Sequence, residues 1–254
     1  MLSAVIIAKN ESSNIEDCLR SLAFASQRVV LDGGSTDQTR EIARRLGAEV
    51  FVNSDWQGFG VQKNRAIAHA THEWVLVVDA DERVSPALAS EIQSVIQQNS
   101  GPDAYYLPRC TLFYGLKVKY GGFEPDHGSV RLFRRQRLRF NEALVHEEID
   151  LTSQSAGHIK EPLIHLSYVD PDAYLKKLAA YSKLAAEGMF QRGKRANAYA
   201  PFVHAVAAFF KSFIWKRGLL DGSAGLLIAS MHAEHTYHKY FQLFLMSSER
   251  HSSN

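Results

Sequence analysis

Trp74 to Glu82, WVLVVDADE, constrains this chain more than any other stretch. Its first five residues form an apolar run rich in β-branched types, which reads as a strand buried on both faces. The run stops at Asp79, Asp81 and Glu82, and unpaired carboxylates are costly inside a core. The acids are therefore expected at the carboxyl edge of a parallel sheet, the crevice in which open α/β sheets take their ligands. Side chains alternate along an extended backbone, so Asp79 and Asp81 share one side and can hold a hard divalent cation between them. Such a cation is commonly shared with the phosphates of a nucleotide. A D-x-D triplet also arises by chance, so its weight comes from the elements around it.

Those elements alternate. Leu2 to Ala8 reads as a first buried strand, and Ser13 with Glu16 as a capping box before Ile15, Cys18, Leu19 and Leu22 at helical spacing. Gln27 to Leu31 is a second strand, broken at Asp32-Gly33-Gly34-Ser35. Ser35 is expected to cap the next helix, Arg40 to Leu46, and Gly47 to stop it. A third strand over Ala48 to Val52 and a short helix over Val61 to Ala70 lead into the central run. Strands alternating with helices of about ten residues imply βαβ units and a parallel sheet. Beyond the acids, Ser85-Pro86 is an N-cap with proline at the first helical position, opening a helix to about residue 99.

From Ala104 to about Leu166 the texture changes to short strand-like pieces, AYYLPR, SVRLFRR and a stretch ending in VHEEI, with a Gly- and Pro-containing loop over Tyr120 to Asp126. Asp170-Pro171 then starts a helical region that lasts to the end. The net charge of the 254 residues is only +2, which disfavours nucleic-acid binding, but it conceals an asymmetry. Between Ala173 and Arg217 nine Lys or Arg stand against one acid, Glu187. Cys18 and Cys110 form neither a CxxC knuckle nor a disulfide framework, so a reducing, cytoplasmic compartment is the simplest fit. The N-terminus reads as a strand and not a signal peptide. The apolar stretch Ala198 to Trp215 is interrupted by Pro201, His204 and Lys211 and falls short of a spanning helix.

AKNE at Ala8 to Glu11, LDGGSTDQT at Leu31 to Thr39 and VVDADE at Val77 to Glu82, in that order, resemble the nucleotide-sugar half of an inverting family 2 glycosyltransferase of the GT-A fold. GGFEPD, VRLFRR, VHEEI, HLSY at His165 to Tyr168 and WKRGLLDG at Trp215 to Gly222 extend the likeness to lipopolysaccharide-core glucosyltransferases of the WaaE/KdtX type. The resemblance implies an α/β fold, a Rossmann-like, mostly parallel central sheet flanked by helices with a C-terminal helical extension. It also implies three regions: a nucleotide-sugar-binding half over residues 1–100, an acceptor-side half over 101–169, and a basic amphipathic extension over 170–254. A UDP-sugar donor, a divalent cation (Mn2+ or Mg2+) and a lipid-linked saccharide acceptor at the cytoplasmic face of the inner membrane follow from it.

The residues support the same chemistry independently. Glu11 and Asp32 each follow a strand and can accept hydrogen bonds from a uracil N–H and ribose hydroxyls, while the Ala8 backbone approaches the base. Asp32 can equally cap its own turn, and Glu11 can simply face water. Asp37 suits a helical first turn and reads as structural. Lys63 is either a phosphate neutraliser or a solvated surface charge. Asp81 is the leading metal ligand, with Asp79 contacting the metal, its water or the ribose. Inversion needs a base for the acceptor hydroxyl. Glu147 is preferred and Asp126 is the alternative, although an ion pair with a nearby arginine explains Glu147 as well. Arg131, Arg134 and Arg135 fit a phosphate or an anionic acceptor, or else an edge strand. His146 is a candidate third metal ligand or acceptor contact, or an ordinary loop histidine, and His165 a structural histidine or acceptor contact. His232, His235 and His238 recur on one helical face and read as solvated.

In the tail, Phe209, Phe210, Phe213, Ile214 and Trp215 interleave with Lys211, Lys216 and Arg217, a pattern suited to an anionic membrane surface or to internal packing. Three other classes compete. One is a GT-A transferase acting on protein or another glycan, and one a non-catalytic nucleotide-sugar-binding regulator. The third, a dinucleotide-binding dehydrogenase, fails because no GxGxxG follows the first strand.

Overall fold

A computed structural model of the chain describes residues 1–98, 100–122, 128–141, 148–149, 151, 156–167 and 171–248. Asp126, His146 and Glu147 lie outside the described residues. The described chain divides into a sheet-based unit, Met1–Cys110 with Pro125–Leu166, and a helical unit, Thr111–Glu124 with Ser167–Asn254.

The sheet-based unit opens with β1 (Leu2–Ala8), α1 (Ile15–Ser21), β2 (Gln27–Asp32), α2 (Thr39–Arg45), β3 (Glu49–Val52), α3 (Phe59–Ala68) and β4 (Trp74–Val77). It continues through β5 (Glu82–Arg83), α4 (Pro86–Gln98), β6 (Ala104–Leu107) and the start of β7 (Arg109–Phe113). After β8 (Leu116–Val118) of the helical unit, β9 (Ser129–Arg134), β10 (Ala156–His158) and β11 (Leu163–Ser167) complete it. Seven strands form one sheet in the order β10-β6-β9-β4-β1-β2-β3. All neighbours run parallel except β9, which is antiparallel to both β4 and β6. The expected mostly parallel sheet flanked by helices is therefore present.

Alternation explains why the apolar runs are continuous. Leu2, Ala4, Ile6, Trp74, Leu76 and Val78 point to one face and pack with Ile15, Leu19, Leu88 and Ile92 of α1 and α4. Val5, Val29, Val75, Val77 and Phe133 point to the other and pack with Ala66 and Ile67 of α3. Both faces are covered, so each buried Leu, Ile or Val contributes about 1.5–3 kcal/mol and few strand positions are left for polar residues.

Several local expectations change. Ser13 and Glu16 form no capping box: α1 starts at Ile15 without a side-chain cap, and Glu16 pairs instead with Arg20 at 2.7 Å. Ser35 does not cap α2, because its hydroxyl takes the Asn10 amide at 2.8 Å. Ser85 does cap α4, accepting the Leu88 amide at 3.1 Å. Arg131 does not lie on an edge, since β9 is inserted between β4 and β6.

The helical unit contains α5 (Pro171–Gln191), α6 (Ala200–Phe210) and α7 (Gly222–Ser248). A π-helical turn, Lys211–Trp215, continues α6, and a short 3-10 turn, Gly218–Asp221, precedes α7. The hairpin of β7 and β8 turns at Tyr114 and Gly115, both at positive φ as a two-residue loop requires, and buries Phe113 and Val118 against Ala224 and Ile228. A Cβ on Gly225 would collide with the Gly218 carbonyl, so this junction closes only on glycine. No helix of the described residues is long and apolar enough to cross a membrane.

Candidate active site

Ala8 and Asp32 are register partners at the carboxyl ends of β1 and β2. The loops that follow are stitched together through backbone amides: Glu11 N–H donates to Thr39 Oγ1 at 2.8 Å, Ser12 N–H to Asp37 Oδ2 at 3.1 Å, and Thr36 N–H to Asn10 Oδ1 at 2.8 Å. Burial works to raise the Asp37 pKa, but hydrogen bonds from Thr39 and Ser12 outweigh it and bring the carboxyl down to about 2. Asp37 is thus structural, as a crosslink between loops.

Asp32 does two things at once. Its Oδ2 accepts the Gly34 and Ser35 amides, both at 2.8 Å, and so caps the turn. Its Oδ1 is buried and has no hydrogen-bond partner among the described residues, an acceptor in want of a donor. Glu11 accepts from Asn14 Nδ2 at 2.8 Å, and the Ala8 carbonyl accepts the Gly33 amide at 2.8 Å.

Beyond β4 the backbone closes a reciprocal turn: the Asp79 amide donates to Glu82 Oε2 and the Glu82 amide to the Asp79 carbonyl, both at 2.9 Å. Lys63 reaches this turn from α3. It is 3% exposed, its Nζ lies 3.3 Å from Asp79 Oδ1, and the solvated-surface reading is excluded. Arg131 Nη2 lies 2.9 Å from Asp79 Oδ2 and 3.3 Å from Glu82 Oε1. Burial disfavours both carboxylates. At Asp79 the Arg131 and Lys63 charges overcome it and hold the group well below the usual carboxylate range. At Glu82, 1% exposed, burial and the neighbouring Asp79 charge prevail and the pKa is raised. Both Asp79 oxygens are committed to cations, so Asp79 organises Lys63 and Arg131. Arg134 instead pairs with Glu73 and Asp103.

Asp81 faces a different partner. Its Oδ2 lies 3.4 Å from Nε2 of His165, which the antiparallel pairing of β11 with β5 brings beside the acids. The His165 Nδ1 is buried with no hydrogen-bond partner among the described residues. Among the described residues no group of three His, Cys, Asp or Glu is placed to hold a metal. Asp81 and His165 are the described donors that would hold a divalent cation at this partly exposed edge, and an imidazole nitrogen beside a carboxylate suits Mn2+ better than the oxygen-preferring Mg2+.

The family model for glycosyl transferase family 2 matches residues 3–139, which include every one of these groups except His165. This chain belongs to that family. It is a glycosyltransferase with the GT-A fold. It is 26% identical to the lipopolysaccharide core biosynthesis glycosyltransferase LpsC of Rhizobium meliloti (strain 1021), over 94% of this chain and 93% of that protein. It is 27% identical to an uncharacterized glycosyltransferase of Rickettsia conorii, over 89% of this chain and 83% of the relative. Among solved structures, the mannosyltransferase PcManGT of Pyrobaculum calidifontis, in complex with GDP-Man and Mn2+, superposes with TM-score 0.51 at 16% identity. That match covers 94% of this glycosyltransferase and 86% of PcManGT. S. aureus TarS 1-349 in complex with UDP-GlcNAc gives TM-score 0.50 at 16% identity, covering 99% and 92%.

Sequence reasoning named Glu82 and His165 but not what they touch. The spacing of Glu82, a third acid placed to close a turn on Asp79, could have shown its part. The place of His165 beside Asp81 had no local signal, because only strand pairing brings it there.

Proposed function

We propose that this glycosyltransferase moves a hexose, glucose, with inversion from a UDP-sugar to the inner-core heptose region of lipopolysaccharide or a related glycan. The observation that carries the donor half is the Asp81–His165 pair at the sheet's carboxyl edge. In this reading Asp32 Oδ1 receives the uracil N–H, and Glu11 and the Ala8 backbone border the nucleoside. Lys63 and Arg131, fixed by Asp79, offer positive charge to the diphosphate. Asp81 and His165 would hold a Mn2+ or Mg2+ ion, which would supply Lewis acidity toward the leaving group.

Glu147 takes the acceptor proton, with Asp126 as the alternative base. The described residues that flank Glu147 are anchored to the sheet-based unit. Asn141 N–H donates to the Glu148 carbonyl at 2.9 Å, Ile149 bridges to Phe140, and Phe140 is fixed at 2.8 Å and 3.0 Å by Asn64, the neighbour of Lys63. The similarity to LpsC supports the acceptor class.

A lipid-linked acceptor places the enzyme at the cytoplasmic face of the inner membrane, and the helical unit suits that surface. Phe202, Val203, Val206, Phe210 and Ile214 are exposed along α6 and its π turn, and Trp215 is 85% exposed beside Lys216 and Arg217. Exposed aromatic and aliphatic groups next to cations match an anionic bilayer interface.

Calorimetric titration with UDP, UDP-glucose and GDP-mannose, with and without Mn2+, tests the donor half. The expected result is Mn2+-dependent UDP binding that Asp81→Ala abolishes. Binding of GDP-mannose alone would transfer the assignment to a guanosine donor, and binding of none would sink it.

A further inference from the structure

The helical unit contains a second concentration of polar groups, away from the sheet edge in sequence and chemistry. A hollow of about 270 Å³ is lined by Ala208, Lys211, Ser212, Lys216, His232, His235 and Thr236. Among the described residues its polar lining is two ammonium groups, two imidazoles and two hydroxyls, with no carboxylate. Acids nearby in the chain are engaged elsewhere: Glu234 accepts the Tyr174 hydroxyl at 2.8 Å, and Asp221 accepts the Lys119 and Tyr120 amides at 3.0 Å and 2.8 Å. Among the described residues neither Lys211 nor Lys216 has an ion-pair partner.

The lining is built and not incidental. Lys211 and Ser212 come from the π-helical turn, a deformation that concentrates at functional sites. Ser212 is 2% exposed, and its hydroxyl donates to the Gly121 carbonyl at 2.8 Å. Its oxygen is thereby left to accept from His232 Nδ1 at 3.1 Å, which puts the proton on Nδ1 and leaves Nε2 to act toward a ligand. Gly122, at φ +114°, brings backbone against the rim: a Cβ there would lie 3.3 Å from His232 Cε1 and 3.5 Å from Lys216 Nζ. Partial desolvation and the Lys216 charge lower the His232 pKa, as expected where like charges are crowded without an anion.

We infer that this hollow binds a phosphate monoester. The space is below the range of about 300–1,000 Å³ usual for whole small-molecule ligands, which suits a single anionic group. A phosphomonoester carries about −1.5 to −2 charge at pH 7 and three acceptor oxygens, matching the two ammonium donors, and its charge favours protonation of His232, whose Nε2–H then donates as well. The group belongs either to a phosphorylated saccharide acceptor, a source that rests on the glycosyltransfer reading above, or to a lipid headgroup.

The test is titration of the full chain with inorganic phosphate, followed by calorimetry and by the imidazole proton resonances. Saturable binding is expected to fall about tenfold or more in Lys216→Ala, a loss of at least 1.4 kcal/mol, and to recover in Lys216→Arg. Unchanged UDP binding in the same variants shows that they are folded and keeps this site separate from the donor site. If UDP binding is absent but phosphate binding follows this pattern, the donor assignment fails and the phosphate site stands. Competition by mannose 6-phosphate assigns the group to a sugar, and competition by phosphatidic acid vesicles but not phosphatidylcholine vesicles assigns it to a lipid. No saturable phosphate binding, equal binding in Lys216→Ala, or competition by neither probe overturns the inference.

Discussion

In the sheet-based unit Lys63 and Arg131 face Asp79 and Glu82 across 2.9 to 3.3 Å, whereas in the helical unit Lys211 and Lys216 share a hollow with two imidazoles and, among the described residues, no acid. The same residue types are thus balanced in one place and unbalanced in the other. The buried cluster has to be balanced, because the desolvation cost of an uncompensated charge is several kcal/mol. The open hollow does not, because water meets its charges until an anion does. In the reading proposed above, the balanced cluster is the scaffold of the donor site, and the unbalanced hollow is where the proposed anion would replace water.

The largest expected effect breaks the balance directly. Arg131→Ala leaves Asp79 with Lys63 alone and strips the cation from the buried Glu82, and should cost about 3–5 kcal/mol in urea unfolding. Glu82→Gln should cost much less, since burial already disfavours the Glu82 charge and the amide oxygen can still accept from Asp79 N–H. A loss below about 1 kcal/mol for Arg131→Ala, the size of an exposed pair, would show that the cluster is not a buried unit.

Next in size is the response to acid. Asp79 and Asp37 both have folded pKa values below their ordinary ones, so each stabilises the fold above about pH 4 and loses that contribution as pH falls through its folded value. Glu82 has the opposite sign, since its raised pKa favours the fold at low pH and opposes it as pH rises through the folded value. Asp79→Asn should flatten the acid-side fall in stability measured between pH 5 and 2. An unchanged profile would contradict the charge assignment.

The smallest effect on stability is expected at the exposed stripe of the helical unit. Phe210→Ala with Trp215→Ala should leave stability within about 0.5 kcal/mol, as for ordinary surface positions, yet lower sedimentation with anionic vesicles. Equal sedimentation would remove the membrane role from this face.

How much of this was legible depends on sequence separation. β1, β2 and β4 were readable because both of their faces are buried, which leaves a continuous apolar run, and the Ser85-Pro86 cap was readable because it acts within one helical turn. Lys63 was open to misreading, as nothing near it in sequence says that α3 aims its first turns at the acids. Arg131 was ambiguous because β9 looks like an edge strand until its pairing with β4 and β6 is known. His165 was readable only as a structural histidine or an acceptor contact, since its place beside Asp81 depends on the pairing of β11 with β5, and the helical histidines expected to be solvated include one bonded to a buried serine. Buried runs were legible, but the Ser13–Glu16 box and the Ser35 cap failed because Glu16 and Ser35 found other partners, and what the strand order assembles was not legible.

The most direct test of the donor site is a Mn2+ titration followed by the electron paramagnetic resonance of the free aquo ion, in the presence of UDP. Quenching of that signal is predicted for the wild-type chain and for His146→Ala, with affinity reduced about tenfold or more in His165→Ala. Wild-type quenching by His165→Ala, or its loss in His146→Ala, would contradict the assignment of His165 and Asp81 to the cation.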